Sequence, residues 1–217
     1  MDAVGSSSTR LVLIRHAESH SVADGWISGI ATCRGLTERG VAQARMLRRR
    51  LAEDTRLDPD AVLSSTMRRA AETAEIITEG LDVPLQTLEE LCERSPGECE
   101  GMTYDQYRAT YGREPWSDWI RPLSPGGESD EEFVARVRGV IGHLAEECRG
   151  QTVWLVCHGG VIMATAAVLM QGGSGIDAPK WENPAPTAIS EWSRTTSDGT
   201  DGPWTLRRYN DHAHLVL

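Results

Sequence analysis

The chain has 217 residues and a formal net charge of −10, a length that suits one α/β domain and a charge that argues against general binding to nucleic acid or anionic membranes. With 40% hydrophobic and 25% charged residues, it can bury a core without a disulfide or metal staple. The opening MDAVGSSSTR has no apolar stretch of signal-peptide type, and no run reaches membrane-spanning length, so the expected location is the cytoplasm.

Residues 1–9 read as a flexible tail and 10–217 as one domain. Leu11–Ile14 form a short buried strand, followed by a Gly-containing loop. A helix is expected from Thr37, a suitable N-cap, to about Asp54, with Val41, Ala44, Leu47 and Leu51 at helical spacing. DAVLSS (60–65) is a second strand, before an Ala-rich helix over about 67–80. Residues 83–91 read as extended or mixed, and 92–128 as irregular with a short helix near 103–111. Ser129 and Glu132 make a capping box for a long helix striped by Phe133, Val134, Val137, Ile141 and Leu144. QTVWLVCHGG (151–160) is a third strand, a helix runs on to about Met170, and a Gly/Pro-rich loop follows. TAISEW and PWTLRRY are candidate closing strands, antiparallel at one edge. This alternation predicts a three-layer α/β/α fold with a mostly parallel central sheet.

Ligands in such sheets bind beyond the carboxyl ends of the strands. There the first strand delivers Arg15 and His16, the second Ser64 and Ser65 and then Arg68 and Arg69, and the third His158, Gly159 and Gly160. Each has a plain structural alternative: a strand-end histidine is more often a hydrogen-bonded framework residue, and Gly-Gly is usually a tight turn. Folding does not require all three together. Imidazole and guanidinium groups that converge suit a phosphoryl group, whose oxygens accept paired bonds from arginine. Cys33, Cys92, Cys99, Cys148 and Cys157 show neither C-x-x-C nor a zinc spacing. They read as reduced thiols, and no metal or other cofactor is expected.

Motifs in chain order resemble the histidine phosphatase superfamily, the phosphoglycerate-mutase-like proteins. LVLIRHAES is similar to the family's opening strand and R-H-G-E-[ST]; GLTERGVAQA to L-T-x-x-G-x-x-Q-A; SSTMRRAAETA to S-S-P-L-x-R-A-x-Q-T-A. LCERSPGECEG, PGGES, VCHGGVI and YNDHAHL resemble four further motifs, so the likeness spans residues 11–215. It implies that His16 is the nucleophile, that Arg15, Arg69 (not Arg68) and His158 bind the phosphate, and that Glu93 is the acid–base, with His158 also in the catalytic set. Glu90, Glu98 and Glu100 compete with Glu93 on residue type alone. Glu18 is a candidate for orienting Arg15 or another cation. Three departures stand out: Ala17 replaces a glycine, Thr66 a proline, and Val22 an asparagine that contacts phosphate in many members, a contact His20 or a backbone amide could replace.

The expected function is a metal-independent phosphomonoesterase of histidine acid type, acting on a small phosphorylated metabolite as a monomer or homodimer. The alternatives are a phosphoglycerate mutase, a protein phosphohistidine phosphatase, and a non-catalytic phospho-ligand-binding protein on the same fold. Residues 94–157, between acid and second histidine, lack the adjacent arginine pair expected of a mutase. Trp26, Arg34 and Arg94 are candidates for the substrate pocket, as are Met102, Tyr104, Trp116 and Trp119. His212 and His214 are expected to hold structure.

Overall fold

The first strand is apolar without a break because it is covered on both faces. In the computed structural model, which describes residues 7–117, 121–170 and 182–215, Leu11 and Leu13 belong to one buried cluster and Val12 and Ile14 to another, all four fully buried. Side chains alternate across a strand, so a strand between two helical layers needs apolar residues at every position.

The elements in chain order are β1 (Ser7–Arg15), α1 (His20–Asp24), α2 (Glu38–Glu53), β2 (Ala61–Ser65), α3 (Arg68–Thr78), β3 (Leu85–Leu88), α4 (Tyr104–Tyr111), α5 (Asp130–Glu147), β4 (Thr152–Cys157), α6 (Gly159–Met170), β5 (Ile189–Ser197), β6 (Thr200–Asp201) and β7 (Thr205–Asp211). The sheet runs β3-β2-β4-β1-β5-β6, with β7 also on β5. The first four of these strands are parallel, and β5 turns the sheet antiparallel. Thus the parallel centre and antiparallel margin both stand as expected.

α2 and α3 cover one face, where Ala44, Leu47, Leu51, Ala70, Ala74 and Ile77 pack on Val12, Ile14, Val62, Trp154 and Val156. α5 and α6 cover the other, where Phe133, Val137, Ile141, Leu144 and Val161 pack on Leu11, Leu13, Val153, Leu155 and Trp192. Each Leu, Ile, Val or Phe among them contributes about 1.5–3 kcal/mol when withdrawn from water. The starts of the helices follow their caps. Thr37 accepts from the Gly40 amide, and Ser129 and Glu132 form both bonds of the capping box. A smaller cluster of Ile27, Cys99, Tyr107 and Leu123 joins the loop after α1 to α4.

The expected tail is too long at its inner end. Ser7, Ser8 and Thr9 are part of β1 and pair with Thr196, Thr195 and Arg194 of β5. Thr9 is buried, and its hydroxyl accepts from the Gly150 amide. Backbone pairing with β5 needs no apolar side chain, so SSTR gives no hydrophobic signal. The expected loop at 171–181 lies outside the described residues.

Candidate active site

β1 and β4 are parallel neighbours, but the chain leaving β1 continues to the α2 face and the chain leaving β4 enters α6 on the opposite face. A crevice opens where adjacent connections part in this way. His16 follows β1 and His158 follows β4. The His16 amide donates to the Cys157 carbonyl at 2.9 Å. The two imidazole rings meet edge to face with centroids 5.1 Å apart.

Local bonds orient His16. Its Nδ1 lies 2.7 Å from the Ala17 carbonyl; a carbonyl only accepts, so Nδ1 carries the proton and Nε2 keeps its lone pair. Arg69 Nε donates to that Nε2 at 3.1 Å. Burial, and then the Arg69 and Arg15 guanidiniums, hold the His16 imidazole well below the usual histidine range, so the ring is neutral at neutral pH.

Arg69 occupies the first turn of α3, where the helix dipole disfavours a cation. Its exposed neighbour Arg68 is offset by Glu72 four residues on, at 2.6 Å. Arg69 is 4% exposed and, among the described residues, has no carboxylate partner; its other contacts are Ser28 Oγ at 3.4 Å and Cys33 Sγ at 3.5 Å. Arg15 donates to the Pro184 carbonyl, and its buried Nε has no hydrogen-bond partner among the described residues. A buried cation without a counter-charge costs several kcal/mol, which makes the surroundings of Arg69 favourable to an anion; Arg15 has Glu93 near enough to act on its charge.

His158 is fully buried, with Nε2 at 2.9 Å from Ser65 Oγ and Nδ1 without a partner. Burial, Arg69, His16 and Arg15 keep it neutral as well. Glu93 is clamped by two backbone amides: Gly160 donates to Oε2 at 3.0 Å and Arg94 to Oε1 at 3.0 Å. A Cβ on Gly160 would stand 2.2 Å from Glu93 Oε1, so any other residue there would displace the carboxylate. His16, Arg15, Arg69, His158 and Glu93 are therefore brought together by the ends of β1 and β4, the first turn of α3, and the segment after β3.

The family model of the histidine phosphatase superfamily (branch 1) matches residues 11–212. The chain belongs to this superfamily. A 2,3-bisphosphoglycerate-dependent phosphoglycerate mutase of Methylobacterium sp. (strain 4-46) is 36% identical over 172 residues, covering 73% of this chain and 79% of its own. An adenosylcobalamin/alpha-ribazole phosphatase of Salmonella typhimurium is 34% identical over 168 residues, covering 74% and 79%. The solved structure of Bacillus stearothermophilus YhfR superposes with a TM-score of 0.80 at 25% identity, covering 95% of this chain and 99% of that one. The superfamily thus includes relatives named as phosphatases and as mutases.

Within this histidine phosphatase chain, other expected residues fall elsewhere. Arg94 is 2% exposed and gives its guanidinium to the carbonyls of Glu128 at 2.8 Å and Arg121 at 2.9 Å. It braces the 121–128 segment and is not among the residues that line the cavity beside Glu93. Half-buried Trp26 and exposed Arg34 stack on each other at 4.6 Å, and neither lines the cavity beside Glu93. Tyr104 is close enough to Arg15 for their charges to interact, Met102 and Trp116 pack on the small third cluster, and Trp119 lies outside the described residues.

Glu18 does not orient Arg15. It accepts from Thr37 Oγ1 at 2.9 Å and pairs with Arg39 at 3.2 Å, at the start of α2. Glu100 accepts from the Thr32 amide and hydroxyl and so holds the loop after α1. Val22 is exposed on α1, and Ala17 is accommodated, buried with its amide on Thr73 Oγ1 at 3.0 Å. Thr66 Oγ1 contacts Cys92 Sγ at 3.1 Å. His214 Nε2 meets Thr187 Oγ1 at 2.8 Å, and the Thr187 amide donates to the Arg15 carbonyl at 3.1 Å, so this histidine supports the strand end from behind. Among the described residues no group of three His, Cys, Asp or Glu side chains is arranged to hold a metal ion, and no helix is long and apolar enough to cross a membrane.

Proposed function

We propose that the protein is a metal-independent phosphatase that hydrolyses a small phosphomonoester through a phosphohistidine at His16. The observation that carries this reading is the neutral His16 ring, its Nε2 held against a buried Arg69 that lacks a carboxylate. Nε2 attacks phosphorus while the bond to the leaving oxygen breaks, and protonated Glu93 gives that oxygen its proton. A water then loses a proton to Glu93 and attacks phosphorus; the N–P bond breaks and phosphate leaves. Arg15 and Arg69 offset the charge on the phosphoryl oxygens through both transfers.

A mutase reading rests on the name of the Methylobacterium relative. The charge of the cavity beside Glu93 favours hydrolysis. This space, about 650 Å³, is lined by Glu89, Glu90, Glu93, Glu100, Glu128 and Glu132, and its one cation among the described residues, Arg136, is paired with Glu128 at 2.7 Å. A phosphoglycerate that brought its carboxylate to that wall would meet carboxylates and a guanidinium already paired. A panel of phosphorylated metabolites assayed for phosphate release in EDTA tests the proposal. Release from at least one, without interconversion of 2- and 3-phosphoglycerate, is expected. Activity that vanishes with chelator and returns with magnesium or zinc, or mutase turnover alone, would contradict it.

A further inference from the structure

Ser65 meets three groups around one hydroxyl. The Met67 amide donates to its Oγ at 3.1 Å, and the hydroxyl donates its single hydrogen to Cys92 Sγ at 3.2 Å. His158 Nε2 lies 2.9 Å away. With its hydrogen directed to sulfur, the hydroxyl accepts from the ring and Nε2 is the donor, the tautomer on which the inference turns. Thr66 Oγ1 also approaches the Cys92 sulfur at 3.1 Å.

A neutral His158 with its proton on Nε2 has only a lone pair at Nδ1. That is the atom left without a partner among the described residues, and it is buried. A lone pair repels a phosphoryl oxygen, whereas an N–H would bind it. We propose that Ser65 is a positioning residue: it holds the proton of His158 on Nε2, so that an arriving phosphoryl group is bound only as His158 takes up a second proton, on Nδ1. The inference rests on the phosphoryl-site reading above.

The groups acting on His158 fit this coupling. Burial first, and then Arg69 on α3, His16 and Arg15 at the end of β1 and Arg136 on α5, all oppose its protonation. Glu93 is held on the amide of Gly160, two residues beyond His158. A bound dianion beside Arg15 and Arg69 reverses the balance. The proton comes from solvent or from a substrate that arrives as its monoanion. It leaves when phosphate departs as the monoanion, and only an N–H bond is made and broken.

Inorganic sulfate is the probe, because it stays dianionic across the range in which histidine titrates, and its own protonation cannot imitate the effect. Sulfate affinity of the intact protein should fall about tenfold for each pH unit above neutrality. Ser65→Ala should make that slope shallower by letting the proton move to Nδ1, and Ser65→Thr, which keeps a hydroxyl, should restore it. Nitrogen NMR on the wild-type protein decides the matter even if the alanine variant fails to fold. His158 should show Nε2–H with a bare Nδ1 when free, and both nitrogens protonated with sulfate bound. A free protein with Nδ1–H already in place, or sulfate binding with no second proton on His158, would overturn this proposal alone. No sulfate binding at all would overturn the phosphoryl-site reading together with it.

Discussion

Arg69 Nε stands 3.1 Å from His16 Nε2, while the adjacent Arg68 turns outward to Glu72. Two neighbouring arginines of one helical turn therefore have unlike tasks. Arg69→Ala should lower turnover by roughly 10²- to 10³-fold, as expected for loss of a group that stabilises developing anionic charge. Arg68→Ala removes only an exposed, solvent-screened ion pair and should leave turnover within a few-fold. Steady-state rates for the two folded variants check this; equal damage at both positions contradicts the assignment.

In the proposed mechanism Glu93 is the proton donor, so its loss should depend on the leaving group. Glu93→Gln should slow a substrate with an alkoxide leaving group by roughly 10²- to 10⁴-fold. The loss should be smaller on p-nitrophenyl phosphate, whose leaving group needs no proton. Glu98→Gln should be close to wild type on both substrates. Glu100→Gln acts through Thr32 and the loop it holds, so its effect should not distinguish the two. Kinetics of all three variants on both substrates settle which carboxyl donates.

Gly160 offers a separate route to the same carboxyl. An alanine Cβ would stand 2.2 Å from Glu93 Oε1, so Gly160→Ala must push the acid aside. A displacement of about 1 Å in a catalytic group costs roughly 10²-fold, and the deficit should again be smaller with p-nitrophenyl phosphate. An equal loss on both substrates would mean that the pocket as a whole, and not the acid, has moved.

Parts of this site were legible because apolar strands ended in chemistry. The LVLIRH and VWLVCH runs placed His16 and His158 at the carboxyl ends of β1 and β4, and double coverage by helices explains their unbroken apolar character. Arg69 followed from its motif. Arg94 did not follow, because a sequence cannot tell a guanidinium aimed at substrate from one that satisfies buried carbonyls, here those of Glu128 and Arg121. Glu18 was expected to orient Arg15 or another cation, and the cation is Arg39 at the start of α2, where Thr37 also donates to the carboxylate. Gly160 was read as a turn residue, though its lack of a Cβ serves the Glu93 carboxylate. Ser65 was visible as a strand-end polar residue; its link to His158 depends on β2 and β4 being neighbours.

Stability should fall in acid, in a window set by histidine. His16 and His158 are held well below the ordinary value by burial first, and His214 is pushed down to about 4. In the unfolded chain all three titrate near 6.5. Below that pH the unfolded state binds more protons than the folded state, so stability must decline as pH falls. Melting temperature should drop between about pH 7 and about pH 5, and His158→Gln should reduce the drop. Asp54 and Asp211 have pKa values below the usual carboxylate range, so their contribution is lost only at lower pH. A flat melting temperature across the histidine window would contradict the buried neutral pair.

The central claim is a covalent bond between phosphorus and His16 Nε2. The direct measurement is a rapid acid-free quench of Glu93→Gln during turnover, followed by mass spectrometry of peptides carrying His16 and His158. Loss of the general base slows hydrolysis of the intermediate, so a phosphoryl group should accumulate on the His16 peptide, stable to base and labile to acid. It should be absent in His16→Ala, which should have no turnover. Phosphoryl transfer to His158 instead, or phosphate release by His16→Ala at the wild-type rate, would contradict the account.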